Sequence, residues 1–296
     1  MPKQIGRLLT AMVTPFDENG EVDYPQVRKL AIALVKSGSD GLVVSGTTGE
    51  SPSLSIEEKL RLFSECKFAV GNTASIVAGT GSNNTRESIE LTKEASLLDI
   101  DAIMIVVPYY NKPPQEGLYQ HFLAIAESTH LPLIPYNVPS RTGLNMTADT
   151  TIRLSKIDNI IGVKEASSDL DQISRIISST DNDFLVWSGN DNETFQIMCM
   201  GGYGVISVAS HLTGNQIRKM MDLIISGKIN DAAKEHHRLL PLFKGIFSIT
   251  SPIPIKYTLN KCGFNVGPTR LPLVQPDSET VVFLDNLLRN YSIDIS

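Results

Sequence analysis

The chain has 296 residues, 42% hydrophobic and 20% charged, with a formal net charge of -6. These proportions fit a globular protein with enough apolar side chains for a large core, and they exclude a disordered chain. The charge is spread along the sequence without a run of Lys and Arg to neutralise phosphates, so nucleic acid is not an expected partner, and no stretch approaches the roughly 20 apolar residues that span a bilayer.

The first residues, Met1 to Arg7, are too polar for a signal peptide, and a cytoplasmic protein is the expectation. A first β-rich run at Leu8–Val13 leads into helical spacing over Pro25–Ser37, and Gly41–Ser45 leads into Ile56–Val70. Ser55 followed by Glu58 predicts a capping box there. Ser75–Gly79 precedes a helix over Thr85–Leu97 with Asn84 as its cap, and Ala102–Val107 precedes Gln115–Ser128. Leu133–Asn137 is a fifth strand and Ile160–Glu165 a sixth, the latter followed by a helix over Asp169–Ser179. Phe184–Ser188 and Gly204–Val208 precede Asn192–Met200 and Thr213–Ser226. Beyond residue 228 the strand signals stop, and Ala232–Phe243, Ile255–Cys262 and Ser278–Asn290 read as helices.

Eight alternations of strand and helix predict an α/β fold, a (β/α)8 TIM barrel over residues 1–227, with a C-terminal helical extension at 228–296 packed on it. An open nucleotide-binding sheet is disfavoured, since the first turn, Thr14-Pro15-Phe16, is not glycine-rich. Cys66, Cys199 and Cys262 are far apart and read as reduced packing residues. His236 and His237 are adjacent on a helix and point in different directions, so no metal site is expected.

In such barrels chemistry sits at the C-terminal ends of the strands. Lys164, inside an apolar strand, is the most informative residue there, because burial of a cation is costly and drives the amine towards neutrality. An ordinary lysine is neutral at pH 7 only about once in 2,500 molecules, so a drop of roughly three units matters to a nucleophile. Taken alone, Lys164 better suits a structural ion pair, with Glu165 a candidate although adjacent strand residues point to opposite faces, or an outward-facing charge. Gly46-Thr47-Thr48-Gly49 can converge amides and hydroxyls on a small anion, or be an ordinary tight turn. Tyr136 and Arg141 are open to the same two readings: rim tyrosine or core, and anion ligand or solvated loop residue.

Gly46-Thr47-Thr48-Gly49-Glu50-Ser51, Pro108-Tyr109-Tyr110-Asn111, Tyr136-Asn137-Val138-Pro139-Ser140-Arg141-Thr142-Gly143 and Gly162-Val163-Lys164-Glu165-Ala166, in this order, resemble the dihydrodipicolinate synthase group of pyruvate-dependent class I aldolases, within the N-acetylneuraminate lyase superfamily. The resemblance runs from Thr14 to Lys256 and implies that Lys164 forms an imine with pyruvate, which then condenses with L-aspartate 4-semialdehyde to give 4-hydroxy-tetrahydrodipicolinate on the route to lysine and diaminopimelate. It further implies a proton relay of Tyr136, Thr47 and Tyr110, a carboxylate site at Thr48, a second one at Arg141, and pocket-lining backbone at Gly189 and Ile206. No cofactor is implied beyond the imine itself, with room left for a monovalent cation. Tyr110 would complete a neighbour's relay, implying a homotetramer built as a dimer of dimers. Ser51, Asn83, Glu87 and Tyr109 match parts of an inhibitory lysine site, but Ile56 and Lys59 stand where lysine-sensitive members carry histidines, and Pro52 replaces a small residue. A cationic Lys59 would repel lysine, so weak or no inhibition is expected. A sugar-acid lyase and a non-catalytic oxo-acid sensor are the competing readings; Arg141 argues against the first and the intact relay against the second.

Overall fold

The computed structural model describes residues 5–295. Eight parallel strands close into a barrel in sequence order. They are β1 (Leu8–Ala11), β2 (Gly41–Val44), β3 (Ser75–Gly79), β4 (Ala102–Val106), β5 (Leu133–Asn137), β6 (Gly162–Glu165), β7 (Leu185–Ser188) and β8 (Gly204–Ser207). β1 pairs with β8 through Leu9 and Ile206, which removes both sheet edges. The strands are buried almost throughout because side chains fill the barrel on one face and helices cover the other.

The helices are α1 (Tyr24–Lys36), α2 (Ile56–Val70), α3 (Thr85–Ala95), α4 (Gln115–Ala126), α5 (Pro139–Thr142), α6 (Ala148–Leu154), α7 (Leu170–Ser179), α8 (Thr194–Cys199), α9 (Ser210–Ile225), α10 (Ile229–Gly245), α11 (Ile253–Lys261) and α12 (Ser278–Leu288). Both predicted start signals form: Ser55 and Glu58 make a complete capping box, and the Asn84 side chain accepts from the amides of Arg86 and Glu87. Strand and helix ends differ from the sequence reading by one to three residues, as at Ile160, which makes only an isolated bridge to Leu133 ahead of β6. The crossover from β5 to β6, left without a helix by the sequence reading, contains two short ones, α5 and α6. Thr147 caps α6 by accepting from the amide of Thr150.

α10, α11 and α12 follow the barrel. Gly245 lets α12 approach α10, since a Cβ there would fall 2.2 Å from Leu287 Cδ2. The C-terminal strand of chain returns to the barrel helices, with Asp294 N donating to Leu212 O at 2.7 Å. The cysteine expectation needs correction: Cys66 is buried beside Met12, but Cys199 and Cys262 are exposed because they fall at or just beyond the ends of α8 and α11. Among the described residues no helix is long and apolar enough to cross a membrane, and no group of three or more His, Cys, Asp or Glu side chains could hold a metal ion.

Candidate active site

Lys164 is the third residue of β6, paired in register with Tyr136 on β5 and Trp187 on β7. Strand alternation puts these three side chains on the barrel interior and sends Glu165 to the opposite face. There Glu165 accepts from Asn137 Nδ2 at 3.0 Å, from Ser167 N at 2.8 Å and from Gln172 Nε2 at 3.3 Å. The Lys164–Glu165 ion pair is therefore ruled out, and Lys164 has no ion pair among the described residues. Beneath it Trp187 fills the barrel, anchored by Nε1 donating to Gly6 O at 3.0 Å, in space that exists because residue 162 is glycine. Burial pushes the Lys164 amine down to about 7; the Asp191 carboxylate opposes that shift and the Arg141 guanidinium adds to it. About half the molecules then carry a neutral amine at pH 7. Lys164 Nζ stands 4.0 Å from the centre of the Tyr136 ring.

Tyr136 is itself buried, and loss of water pushes its phenol up to about 12, against which the Arg141 charge and a hydrogen bond from Thr47 pull it down. Thr47 comes from the loop after β2. That loop is closed by Glu50 N donating to Thr47 O at 3.1 Å and Ser51 N to Gly46 O at 3.2 Å, and is tied to the segment after β1 by Thr14 Oγ1 donating to Gly49 O at 2.7 Å. The amides of Thr47 and Thr48 donate to no other described residue. A turn with free amides and two hydroxyls suits a carboxylate. Thr48 is buried and Thr47 half-buried.

Gly189, after β7, touches the lysine directly: a Cβ there would meet Ala166 Cβ at 2.7 Å and Lys164 Cε at 3.2 Å. Ile206 on β8 is fully buried. Asp191, which sequence reasoning passed over, is buried two residues beyond Gly189. It accepts from the Ser207 hydroxyl and from the amides of Val208 and Ala209, each at 3.1 Å, and provides the negative field at Lys164. Burial raises its pKa, and the hydrogen bonds from Ser207, Ala209 and Val208 work against that rise.

A cavity of about 290 Å³ is lined by Thr47, Tyr136, Val138 and Arg141, together with Ser51, Lys59 and Tyr109. Arg141 lies on α5, is exposed, and makes no ion pair among the described residues, so its guanidinium is free to meet an anion. Of Ser51, Asn83, Glu87 and Tyr109, Ser51 and Tyr109 line this cavity. Asn83 Nδ2 donates to Tyr109 O at 3.2 Å, and Ser51 accepts from Ser45 Oγ at 3.4 Å. Glu87 accepts from Ser82 Oγ and Asn84 Nδ2, both at 3.0 Å. Lys59 lies among them, its pKa lowered by burial against the attraction of Glu87. Lys164, Thr48, Gly189, Ile206 and Tyr110 are not among the residues that line the cavity, and of these Tyr110 alone is exposed. It is 89% exposed on a left-handed backbone (φ 72°), outside the cavity lining, so one chain does not bring it to the relay.

The model of the Dihydrodipicolinate synthetase family matches residues 4–290. A 4-hydroxy-tetrahydrodipicolinate synthase of Dehalococcoides mccartyi strain CBDB1 is 55% identical over 293 residues, covering 99% of each chain. Among solved structures, a dihydrodipicolinate synthase of Bacillus anthracis superposes with a TM-score of 0.96 at 44% identity, covering 98% of this chain and 99% of that one. One from Cyanidioschyzon merolae with lysine bound gives 0.95 at 44% identity, over 97% and 98%. With the match running nearly end to end, the chain belongs to the dihydrodipicolinate synthetase family.

Proposed function

We propose that this enzyme, a lyase of the class I aldolase type, condenses pyruvate with L-aspartate 4-semialdehyde through an imine on Lys164. The single observation that carries the reading is the buried Lys164 amine 4.0 Å from the centre of the Tyr136 ring, with that tyrosine hydrogen-bonded to Thr47 of a turn with free amides. Neutral Lys164 attacks the ketone of pyruvate while the Thr47–Thr48 turn holds its carboxylate, and water leaves as the iminium forms. Asp191 favours that cation electrostatically; the iminium draws electrons out of the pyruvate methyl group, which gives a proton to the Tyr136–Thr47 relay and leaves an enamine. The enamine carbon attacks the aldehyde, whose carboxylate meets Arg141, and the substrate amine displaces Lys164 as the ring closes.

Tyr136 and Thr47 move the protons. A phenol pushed up to about 12 stays protonated near neutral pH and is a poor source of free phenolate, so transfer through the Thr47 hydroxyl is favoured over ionisation. Tyr110 joins this relay from a second copy of the chain, which makes the working form at least a dimer and, in our reading, a dimer of dimers. The imine serves as electron sink, so no resident cofactor is needed. Residues 1–227 are taken as the catalytic barrel and 228–296 as its helical extension, in a cytoplasmic enzyme of lysine and diaminopimelate synthesis. A coupled assay supplying both substrates tests the reading: turnover requiring both is expected, and cleavage of N-acetylneuraminate or a 2-keto-3-deoxy sugar acid with no condensation would overturn it.

A further inference from the structure

Glu50 belongs to the loop that carries Thr47 and Thr48, yet its carboxylate turns away from the cavity. Its Oε1 accepts from Lys256 Nζ at 2.8 Å and its Oε2 from the amide of Arg270 at 2.9 Å. Both side chains of the pair are 2% exposed. Lys256, on α11, also donates to Pro268 O at 2.7 Å and lies 4.1 Å from the centre of the Phe16 ring, so its amine is held in place on three sides. The partners are 206 positions apart in the sequence, and the pair is a direct polar tie between the candidate carboxylate turn and the helices that follow the barrel.

A buried ion pair seldom stabilises a fold more than well-packed apolar side chains of the same size would. What it does supply is direction, and direction matters at Glu50. The residue holds a left-handed backbone at φ 56°, which a side chain without fixed partners would tend to abandon. It also closes the turn, its amide donating to Thr47 O at 3.1 Å. Loss of the anchor would let Glu50 leave the left-handed region and would turn the neighbouring Thr47 and Thr48 amides away from a common point.

We propose that Glu50 and Lys256 are positioning residues for the carboxylate grip of the Thr47–Thr48 turn, so that α11 takes part in capturing the 2-oxo acid. This rests on the reading of that turn as the pyruvate carboxylate site. The experiment is borohydride trapping of full-length protein across a range of pyruvate concentrations, comparing the parent with Glu50→Gln and Lys256→Met, alongside steady-state KM values for both substrates. Each variant is expected to need about tenfold or more pyruvate for half-maximal trapping, since small misplacements at a binding centre carry such costs. The semialdehyde KM should stay near the parent value. Folded variants with lowered Tm but unchanged pyruvate dependence would overturn the proposal, because they would make the pair purely structural. Should neither variant fold, hydrogen exchange on the parent decides: the reduced pyruvate adduct is expected to slow exchange in Ile253–Lys261, and unchanged exchange there would overturn it. Failure of the parent itself to be trapped by pyruvate is a different result, and would remove the functional reading beneath it.

Discussion

Lys164 and Tyr136 are register partners on adjacent strands, with the amine 4.0 Å from the centre of the phenol ring. Each is buried and each is shifted away from its charged form, the lysine down to about 7 and the phenol up to about 12. Both groups are thus neutral in a large share of molecules near pH 7, which is the state in which one can attack a ketone and the other can pass a proton.

The Lys164 shift has a cost in stability. Between pH 7 and 10.5 the unfolded chain binds a proton at this residue that the native chain does not, so its penalty is greatest below pH 7 and fades as pH rises towards 10.5. Lys164→Met is expected to unfold at higher denaturant than the parent at pH 7, by up to about 5 kcal/mol, with the gap closing towards pH 10. Equal stability of the two proteins at pH 7 would show that the lysine is not held in this way.

Arg141 and Asp191 pull the same amine in opposite directions. Imine formation should rise with pH until Lys164 is neutral, then level. Arg141→Met is expected to move that acid limb to higher pH, and Asp191→Asn to lower pH, as read from the rate of borohydride-trappable adduct. Arg141→Met should also raise the semialdehyde KM tenfold or more, roughly the value of a lost charge-assisted hydrogen bond.

Gly189 leaves no room for a methyl group between Ala166 and Lys164. Gly189→Ala is expected to shift Lys164 and reduce kcat by about a hundredfold while far-UV circular dichroism stays unchanged. Activity within a factor of two of the parent would mean that the strand end moves freely.

Tyr110 is 89% exposed and lies outside its own chain's cavity lining, and in the proposed function it reaches the relay of a second copy. Tyr110→Phe is expected to lower turnover by about a hundredfold, as removal of a proton-transfer group does, while leaving imine trapping largely intact. Loss of trapping in that variant would count against the role.

Lys59 lines the cavity with Ser51 and Tyr109, and Glu87 already attracts its charge. Free lysine is expected to inhibit weakly or not at all, and Lys59→Ala to increase sensitivity. An inhibition constant in the micromolar range for the parent would refute this.

Much of the barrel is legible in the sequence because strands buried on both faces are nearly continuous apolar runs and their crossovers carry helical periodicity. The β5–β6 crossover escaped because α5 and α6 are too short to show that period. Lys164, Tyr136, Thr47 and Arg141 are singled out in the sequence by local motifs and the family resemblance those motifs carry. Asp191 is not, since its meaning comes from Ser207 and the amides after β8, sixteen or more positions away. Lys256 was likewise invisible as a partner of Glu50, because no local spacing records a contact made across the closed barrel and its helices.

The most direct test is borohydride reduction in the presence of pyruvate, followed by peptide mass spectrometry. The account predicts one reduced pyruvyl adduct on Lys164, absent in Lys164→Met; an unmodified Lys164, or an adduct on another lysine of an active enzyme, would contradict it.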